Sequence, residues 1–353
     1  MAVHVALDVM GGDLGPGELV AGAVQAVNEL DVEVTLLGDA NLIDKALAAH
    51  PADKRRIRTV HTSQVITMEE SPFEAVRRKK DASVVRAFGL LKEGGVEAVV
   101  SAGNSGATMA AAITRLGRMK QISRPGIASI FPTLKRPLVM MDVGANVDCR
   151  PRHLFQFGIM AAAFSRVLLG IERPAIGLLS IGAEGGKGNN LVRNAHELFS
   201  RSSLNFVGNV EGRDTFLGNV DVIVCDGFVG NVCLKVSEGL AEALMTMLKD
   251  EMAGSFRARL GYLLARPAFA NFKKRVDYAE YGGAPLLGLN GTGIVCHGRS
   301  NSVAIKNAIR VASEMVRHEV NTHIQRLLDE SDHMGLALSR SGEDDMVATE
   351  SAA

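Results

Sequence analysis

The stretch Ser180-Ile-Gly-Ala-Glu184-Gly-Gly-Lys187-Gly-Asn-Asn190 closes an apolar run and opens a helix-like one, Leu191 to Phe199. A buried strand stops, the backbone turns on glycines, and a lysine arrives as the next helix begins. Such a junction offers a small anion unpaired backbone N–H groups, the positive end of a helix dipole and a mobile cation. The same strand, turn and helix grammar recurs along the chain, and the recurrence decides the fold class.

Residues 3–9, 32–37 and 57–62 read as strands, and short apolar runs occupy 98–101, 127–131, 138–142, 176–181 and 222–225. Continuous rather than alternating hydrophobicity marks strands covered on both faces. Helical periodicity fills 17–29, 72–93, 104–116, 152–169, 188–200, 230–253 and 301–328, with a short helix between the second and third strands. This alternation predicts an α/β chain: a doubly wound, mostly parallel sheet in a Rossmann-like α/β/α sandwich, one domain over 1–328. The polar, aperiodic tail 329–353 is expected to be disordered.

Composition agrees. With 353 residues the chain can bury a large core, and 37 glycines beside 5% aromatics and no tryptophan suit parallel α/β packing. Lysine plus arginine and aspartate plus glutamate number 39 each, so zero formal charge argues against a nucleic-acid partner. The four cysteines, Cys149, Cys225, Cys233 and Cys296, show neither C-x-x-C nor metal-ligand spacing, and no metal is expected. Their apolar settings predict buried free thiols in a reducing compartment. The start, Met1-Ala-Val-His-Val-Ala-Leu-Asp8, reads as a strand and not a signal peptide, and no run approaches the ~20 apolar residues a membrane span needs. A cytoplasmic location is the expectation.

In open α/β sheets ligands bind beyond the carboxyl ends of the strands. The turns there read Asp8-Val-Met-Gly11-Gly12-Asp13, Ser101-Ala-Gly103-Asn104-Ser105-Gly106, Asp142-Val-Gly144-Ala-Asn146, Glu184-Gly-Gly-Lys187-Gly188 and Asp226-Gly-Phe-Val-Gly230-Asn231. Singly, each is a glycine turn with a capping side chain. Together they predict a polar pocket along one sheet edge, with Ser105 as a helix N-cap that donates to a ligand.

Other chemistries fit less well. The first turn, Gly11-Gly12-Asp13-Leu14-Gly15, departs from the dinucleotide fingerprint, and Asp13 repels a pyrophosphate; Asp39 at the end of the second strand keeps a nicotinamide-dependent dehydrogenase open. Gly103-Asn104-Ser105-Gly106-Ala107 falls one residue short of a nucleophile elbow, and spacing does not bring His153 or His297 to Ser105. Many anion donors without an evident protein nucleophile suggest that the bound anion attacks.

From Ser255 to Val276 the chain carries Arg257, Arg259, Arg266, Lys273, Lys274 and Arg275 with no acidic residue, interleaved with Phe256, Leu260, Leu263, Leu264, Phe269 and Phe272. This segment, 254–278, predicts a basic amphipathic helical protrusion, broken in two at Pro267, suited to an anionic membrane surface or an acidic protein. A helix pair packing on a partner subunit is the plainer alternative. The run Arg77-Arg78-Lys79-Lys80 reads as a solvated face.

From Val3 to Leu328 these motifs resemble the bacterial acyl-acyl carrier protein:phosphate acyltransferases of fatty acid and phospholipid synthesis. The likeness rests on Asp8-Val-Met-Gly-Gly-Asp13, Ser101-Ala-Gly-Asn-Ser-Gly-Ala107, Met141-Asp-Val-Gly-Ala-Asn-Val-Asp-Cys149 running into Pro151, Ile181-Gly-x-Glu184-x-x-Lys187-Gly, Asp226-Gly-Phe-x-Gly-Asn231 and His297-Gly-x-Ser300-Asn. The resemblance implies a fold similar to the phosphotransacetylase and isocitrate dehydrogenase group, and a homodimer with its site near the interface. It implies that inorganic phosphate attacks a long-chain acyl thioester on acyl carrier protein, the first step toward phosphatidic acid. It further implies peripheral attachment to the inner membrane face, where a glycerol-3-phosphate acyltransferase takes the product. No cofactor is implied. Lys187 and Asn231 are then the candidate catalytic residues, and Asp8, Gly11, Gly12, Asn104, Ser105, Gly106, Asp142, Asn146, Glu184, Gly188, Asp226 and His297 candidate substrate or phosphate contacts. Arg257, Arg259, Leu260, Leu263, Leu264, Lys273 and Lys274 are candidates for membrane or carrier contact. A phosphotransacetylase acting on acyl-coenzyme A, the dehydrogenase, and a non-enzymatic membrane scaffold remain the rival readings.

Overall fold

The computed structural model describes residues 2–51, 53–144, 146–276 and 280–333, leaving aside the side chains of Lys54, Lys273 and Val276. Eleven strands form one sheet: β1 (Val3–Asp8), β2 (Val32–Gly38), β3 (Ile57–His61), β4 (Ala98–Ser101), β5 (Gly126–Phe131), β6 (Leu138–Met141), β7 (Ile176–Leu179), β8 (Phe206–Val210), β9 (Val222–Val224), β10 (Ala284–Leu287) and β11 (Thr292–Val295). Their spatial order is β3-β2-β1-β4-β11-β10-β5-β6-β9-β7-β8. The helices are α1 (Pro16–Glu29), α2 (Ala40–Ala48), α3 (Pro72–Arg78), α4 (Ser83–Lys92), α5 (Ser105–Leu116), α6 (Pro151–Leu168), α7 (Asn190–Ser200), α8 (Asp214–Leu217), α9 (Gly227–Ala253), α10 (Phe256–Val276), α11 (Ser302–Arg317) and α12 (Val320–His333).

The apolar strands form the middle layer, as their continuous hydrophobicity requires. On one face α1, α6, α7, α11 and α12 bury Leu19, Phe155, Phe164, Phe199, Ile305 and Leu328. On the other, α3, α4 and α5 bury Val76, Phe88 and Met109. The mostly parallel α/β sandwich expected from the sequence is the observed architecture.

Strand direction departs from that expectation and governs the site. β1, β2, β3, β4 and β11 are mutually parallel. The strand β10 runs antiparallel to β11 and β5, and β6 runs antiparallel to β5. Then β6, β9, β7 and β8 are again parallel among themselves, but opposite to the first group. The carboxyl ends of the two groups therefore lie at opposite edges of the sheet.

Further details differ. β8, β10 and β11 escaped the sequence reading because each is a short run beside glycines. The expected helix 72–93 is two helices, α3 and α4, and 301–328 is also two, separated where Glu319 adopts φ +50°. Helix α12 runs to His333, past the boundary read at residue 328; positions 334–353, where the disordered tail was expected, lie outside the described residues. Helix α10 continues through Pro267 instead of breaking. A proline forfeits one backbone bond and crowds the preceding turn, a strain an exposed helix relieves by bending. Lys79 does not share the solvated face of its neighbours: its Nζ bonds Val65 O and Glu70 Oε2, both at 2.7 Å, and so ties down the segment before α3.

Helix α9 buries Gly227 and Gly230 and packs Cys233 and Leu234 on the core, and its later turns carry α10 alongside. A Cβ on Gly230 would run into the backbone carbonyl of Asp142. Gly230→Ala is expected to destabilise the protein by about 1–3 kcal/mol in thermal unfolding, since neither backbone can yield; an unchanged melting temperature would contradict this close approach.

Candidate active site

At the first edge the turns after β1, β4 and β11 touch one another. Gly11 lies so close to Gly103 that a Cβ on it would approach Gly103 N at 2.6 Å, and Asp13 N donates to Gly298 O at 2.7 Å. The carboxylate of Asp8, 2% exposed, accepts from Ser83 Oγ at 2.6 Å, Ser101 Oγ at 2.8 Å and Met10 N at 3.1 Å. A small depression of about 10 Å³ lies here, lined by Asp8, Met10, Ile66, Ser83, Ser101 and Asn104 among others, none of them lysine or arginine. A carboxylate without a cation in its lining suits a neutral donor group better than phosphate.

Burial raises the Asp8 carboxyl above its ordinary range, outweighing the hydrogen bonds that pull it down. The native state then holds the proton more tightly than the unfolded chain. The stabilisation this supplies is full below the ordinary carboxylate pKa and is lost as pH rises through the raised value. Asp8→Asn removes that dependence, so the parent's advantage over the variant in urea unfolding should shrink with rising pH across this window. A constant difference would show that Asp8 titrates as it does in the unfolded chain.

The Asn104 side chain is engaged in the fold. Its Oδ1 caps α5 by accepting Ala107 N at 3.0 Å, and its Nδ2 donates to Met68 O at 3.1 Å. The N-cap is thus Asn104, and not Ser105 as the sequence suggested; Ser105 is the exposed first residue of α5, followed by Gly106. His297 is also exposed, its Nδ1 accepting Arg299 N at 3.2 Å.

At the opposite edge lie the turns after β6, β9 and β7. Asp142, fully buried, accepts Ile127 N at 2.8 Å, Gly144 N at 3.0 Å, Asn146 N at 3.1 Å and Asn146 Nδ2 at 2.7 Å. Asn146 passes the linkage on: its O accepts Gly227 N at 2.8 Å, joining this turn to the start of α9. Asp226 caps that helix through Val229 N at 2.9 Å. The helix begins at Gly227, four residues before Asn231, which is exposed in its second turn and not at its start. Arg124, just before β5, donates to Asp148 O at 3.0 Å and brings a guanidinium to the same edge.

Because β7 neighbours β9 in parallel, the strand that leads into the Lys187 turn ends at the same edge of the sheet as the strand that leads into α9. Glu184 and Lys187 are both exposed, and Lys187 N donates to Glu184 O at 2.9 Å. Among the described residues the Lys187 ammonium forms no ion pair. Gly188, at φ +98°, takes the chain out of the turn, and Asn189 caps α7 through Val192 N at 2.9 Å. A side chain at Gly188 would meet Ser180 Oγ at 2.9 Å, so the turn lies directly on the end of β7.

The expectation of one shared edge is therefore corrected. Asp8, Gly11, Gly12, Asn104, Ser105, Gly106 and His297 belong to one edge; Asp142, Asn146, Glu184, Lys187, Gly188, Asp226 and Asn231 belong to the other. The antiparallel pairing of β6 with β5 is the cause, since β10, antiparallel to both its neighbours, leaves β5 running with the first group. Sequence reasoning also missed Ser83, Arg124 and Asn209. Asn209 sits on β8, a strand with no apolar run to announce it.

On α10 the apolar side chains stand in solvent, with Phe256 81% and Leu264 78% exposed. Arg257, Arg259, Leu260, Leu263 and Lys274 are exposed too, and of Lys273 only the backbone is described. Arg275 anchors the base of the protrusion, its Nη2 donating to Leu134 O at 2.7 Å. No described helix is long and apolar enough to cross a membrane. The four cysteines are free, but only Cys225 and Cys296 are buried, while Cys149 and Cys233 are partly exposed. Among the described residues no group of three His, Cys, Asp or Glu could hold a metal ion.

A continuous mixed sheet with glycine turns and a lysine-bearing loop places the molecule in the phosphotransacetylase-like fold class. A phosphotransacetylase from Streptococcus pyogenes matches 90% of this chain and 94% of its own with a TM-score of 0.61, at 16% identity. The chain belongs to the fatty acid synthesis protein family, which it matches over residues 3–323, and it is an acyltransferase. Relatives named phosphate acyltransferase include one from Nitratidesulfovibrio vulgaris strain DP4, 53% identical over 91% of this chain and 93% of its own. Another, from Geobacter sp. strain M21, is 54% identical over 93% of this chain and 94% of its own.

Proposed function

We propose that this protein transfers a long-chain fatty acyl group from acyl carrier protein to inorganic phosphate, forming an acyl phosphate that feeds phosphatidic acid synthesis. The observation that carries the reading is the exposed Lys187 ammonium at the same sheet edge as the N-terminus of α9, in a chain of this family. A cation and a helix N-terminus on one edge suit an anionic nucleophile or a developing oxyanion.

A phosphate oxygen attacks the thioester carbon, forming a C–O bond and a tetrahedral oxyanion. Collapse breaks the C–S bond, and the carrier thiolate leaves, taking up the proton that the attacking phosphate gives up. Lys187 holds phosphate or the oxyanion, with Asn231 as a further donor. Asp142 and Asp226 shape the turns, and Glu184 borders the lysine. A thioester carbonyl is already electrophilic, so positioning and charge stabilisation suffice as the protein's contribution.

The strand directions favour a homodimer in which the Lys187 edge of one copy meets the Asn104 edge of the other. The exposed row Val232, Val236, Leu240, Leu244 and Met247 on α9, 46–63% exposed, offers such a partner an apolar face. If both edges complete one site, mixing Lys187→Ala with Asn104→Ala protein after subunit exchange should restore about a quarter of parent activity, the statistical share of intact sites. A mixture as inactive as its components would assign both edges to separate roles.

The decisive assay follows acyl phosphate formation from long-chain acyl carrier protein as phosphate is varied. Turnover only with acyl-coenzyme A would favour the phosphotransacetylase reading, and no phosphate-dependent turnover with either donor would reject the proposal. The exposed, basic and apolar α10 supports contact with an anionic membrane or the carrier, at about 1 kcal/mol per basic residue near lipid. Charge reversal at Arg257, Arg259, Lys273 and Lys274 should weaken binding to anionic vesicles or to the carrier; unchanged binding in both assays would leave α10 as a packing element.

A further inference from the structure

The polar side chain beneath the Lys187 turn is Asn209, on the edge strand β8 opposite Leu178 of β7. It is 6% exposed, and its Nδ2 donates to Glu184 O at 2.9 Å and to Lys187 O at 3.5 Å. One amide thus grips the carbonyls at both ends of the turn. Its Oδ1 has no hydrogen-bond partner, nor has Ser180 Oγ nearby on the same turn. Asparagine is a poor strand residue, and a buried amide with an unmatched oxygen costs free energy.

We infer that Asn209 is a positioning residue for the transfer step: it fixes the Glu184–Lys187 turn so that the Lys187 ammonium is held where phosphate binds. This rests on the proposed role of Lys187 and goes beyond it, because the lysine side chain is long and its turn is exposed and glycine-rich. Without an anchor the ammonium would sweep a volume far larger than an oxyanion site tolerates. Donation to Glu184 O, already bonded by Lys187 N, closes the turn from inside the protein, while Gly188 lets the chain leave it.

A double-mutant cycle tests the inference. Asn209→Ala should lower kcat/KM by about 10–100-fold, the scale of a roughly 1 Å misplacement, with the larger share in kcat or in the KM for phosphate and not in the KM for the acyl donor. In the Lys187→Ala background the same substitution should cost less than about threefold, because the group it positions is gone. A merely structural asparagine would cost the same factor in both backgrounds, and that result overturns the inference while leaving Lys187 in its role. If Lys187→Ala itself keeps near-parent turnover, both readings fall. Should Asn209→Ala not fold, Asn209→Leu nearly keeps the volume, removes the donor and enters the same cycle.

Discussion

Lys187→Ala is expected to reduce phosphate-dependent turnover by about 10²–10³-fold, the loss usual when one preorganised donor to a developing oxyanion is removed. The fold should not notice. The ammonium is exposed and forms no ion pair among the described residues, and the turn is held through backbone groups: Lys187 N on Glu184 O, and the two carbonyls that Asn209 grips. The melting temperature should therefore stay at the parent value while kcat/KM collapses. Lys187→Arg keeps the charge but replaces a compact ammonium with a planar fork, so partial recovery is expected. Near-normal turnover in the alanine variant would remove the lysine from the chemistry and leave the site without its mobile cation.

Asp142→Ala should have the largest effect on stability, about 3–5 kcal/mol, because the carboxylate satisfies four donors in a fully buried place. Three are backbone N–H groups of two different segments, so their loss unties the start of β5 from the turn after β6. The fourth is the Asn146 amide. Since Asn146 O holds Gly227 N, the start of α9 loosens as well, and activity should fall with stability. Denaturant unfolding should show a lower midpoint with an unchanged slope. Asp142→Asn keeps one good acceptor and should lie between the two. A loss below about 1 kcal/mol for the alanine variant would mean that water replaces the carboxylate. The hydrogen bonds make Asp142 an internal clamp, with its acceptor sites filled by the protein, and not the substrate contact its sequence motif suggested.

Much of the architecture was legible because buried strands write themselves as uninterrupted apolar runs, as in Ala98–Ser101 and Leu138–Met141. Glycine turns ended on schedule, and Asn189 and Asp226 cap helices where their residue types promise. What escaped were elements without such a signature. Thr292–Val295 is interrupted by Gly293, and β8 by Gly208 and Asn209, so neither presents an unbroken apolar run. Helix starts were also misjudged: the periodicity of α9 was visible from Gly230, but Asp226 caps it earlier.

Local chemistry was therefore set by sequence alone: which residues turn, which cap, which bury, and that a lysine follows a strand end. Strand direction was not, because an apolar run carries no mark of whether its neighbour runs with or against it. That choice is made by which segments pack together, and here the antiparallel pairing of β6 with β5 reverses the sheet. The reversal divides five similar turns between two edges, so only the tertiary structure could show that the Lys187 turn is held by Asn209, at the edge where α9 begins and not at the edge of Asn104.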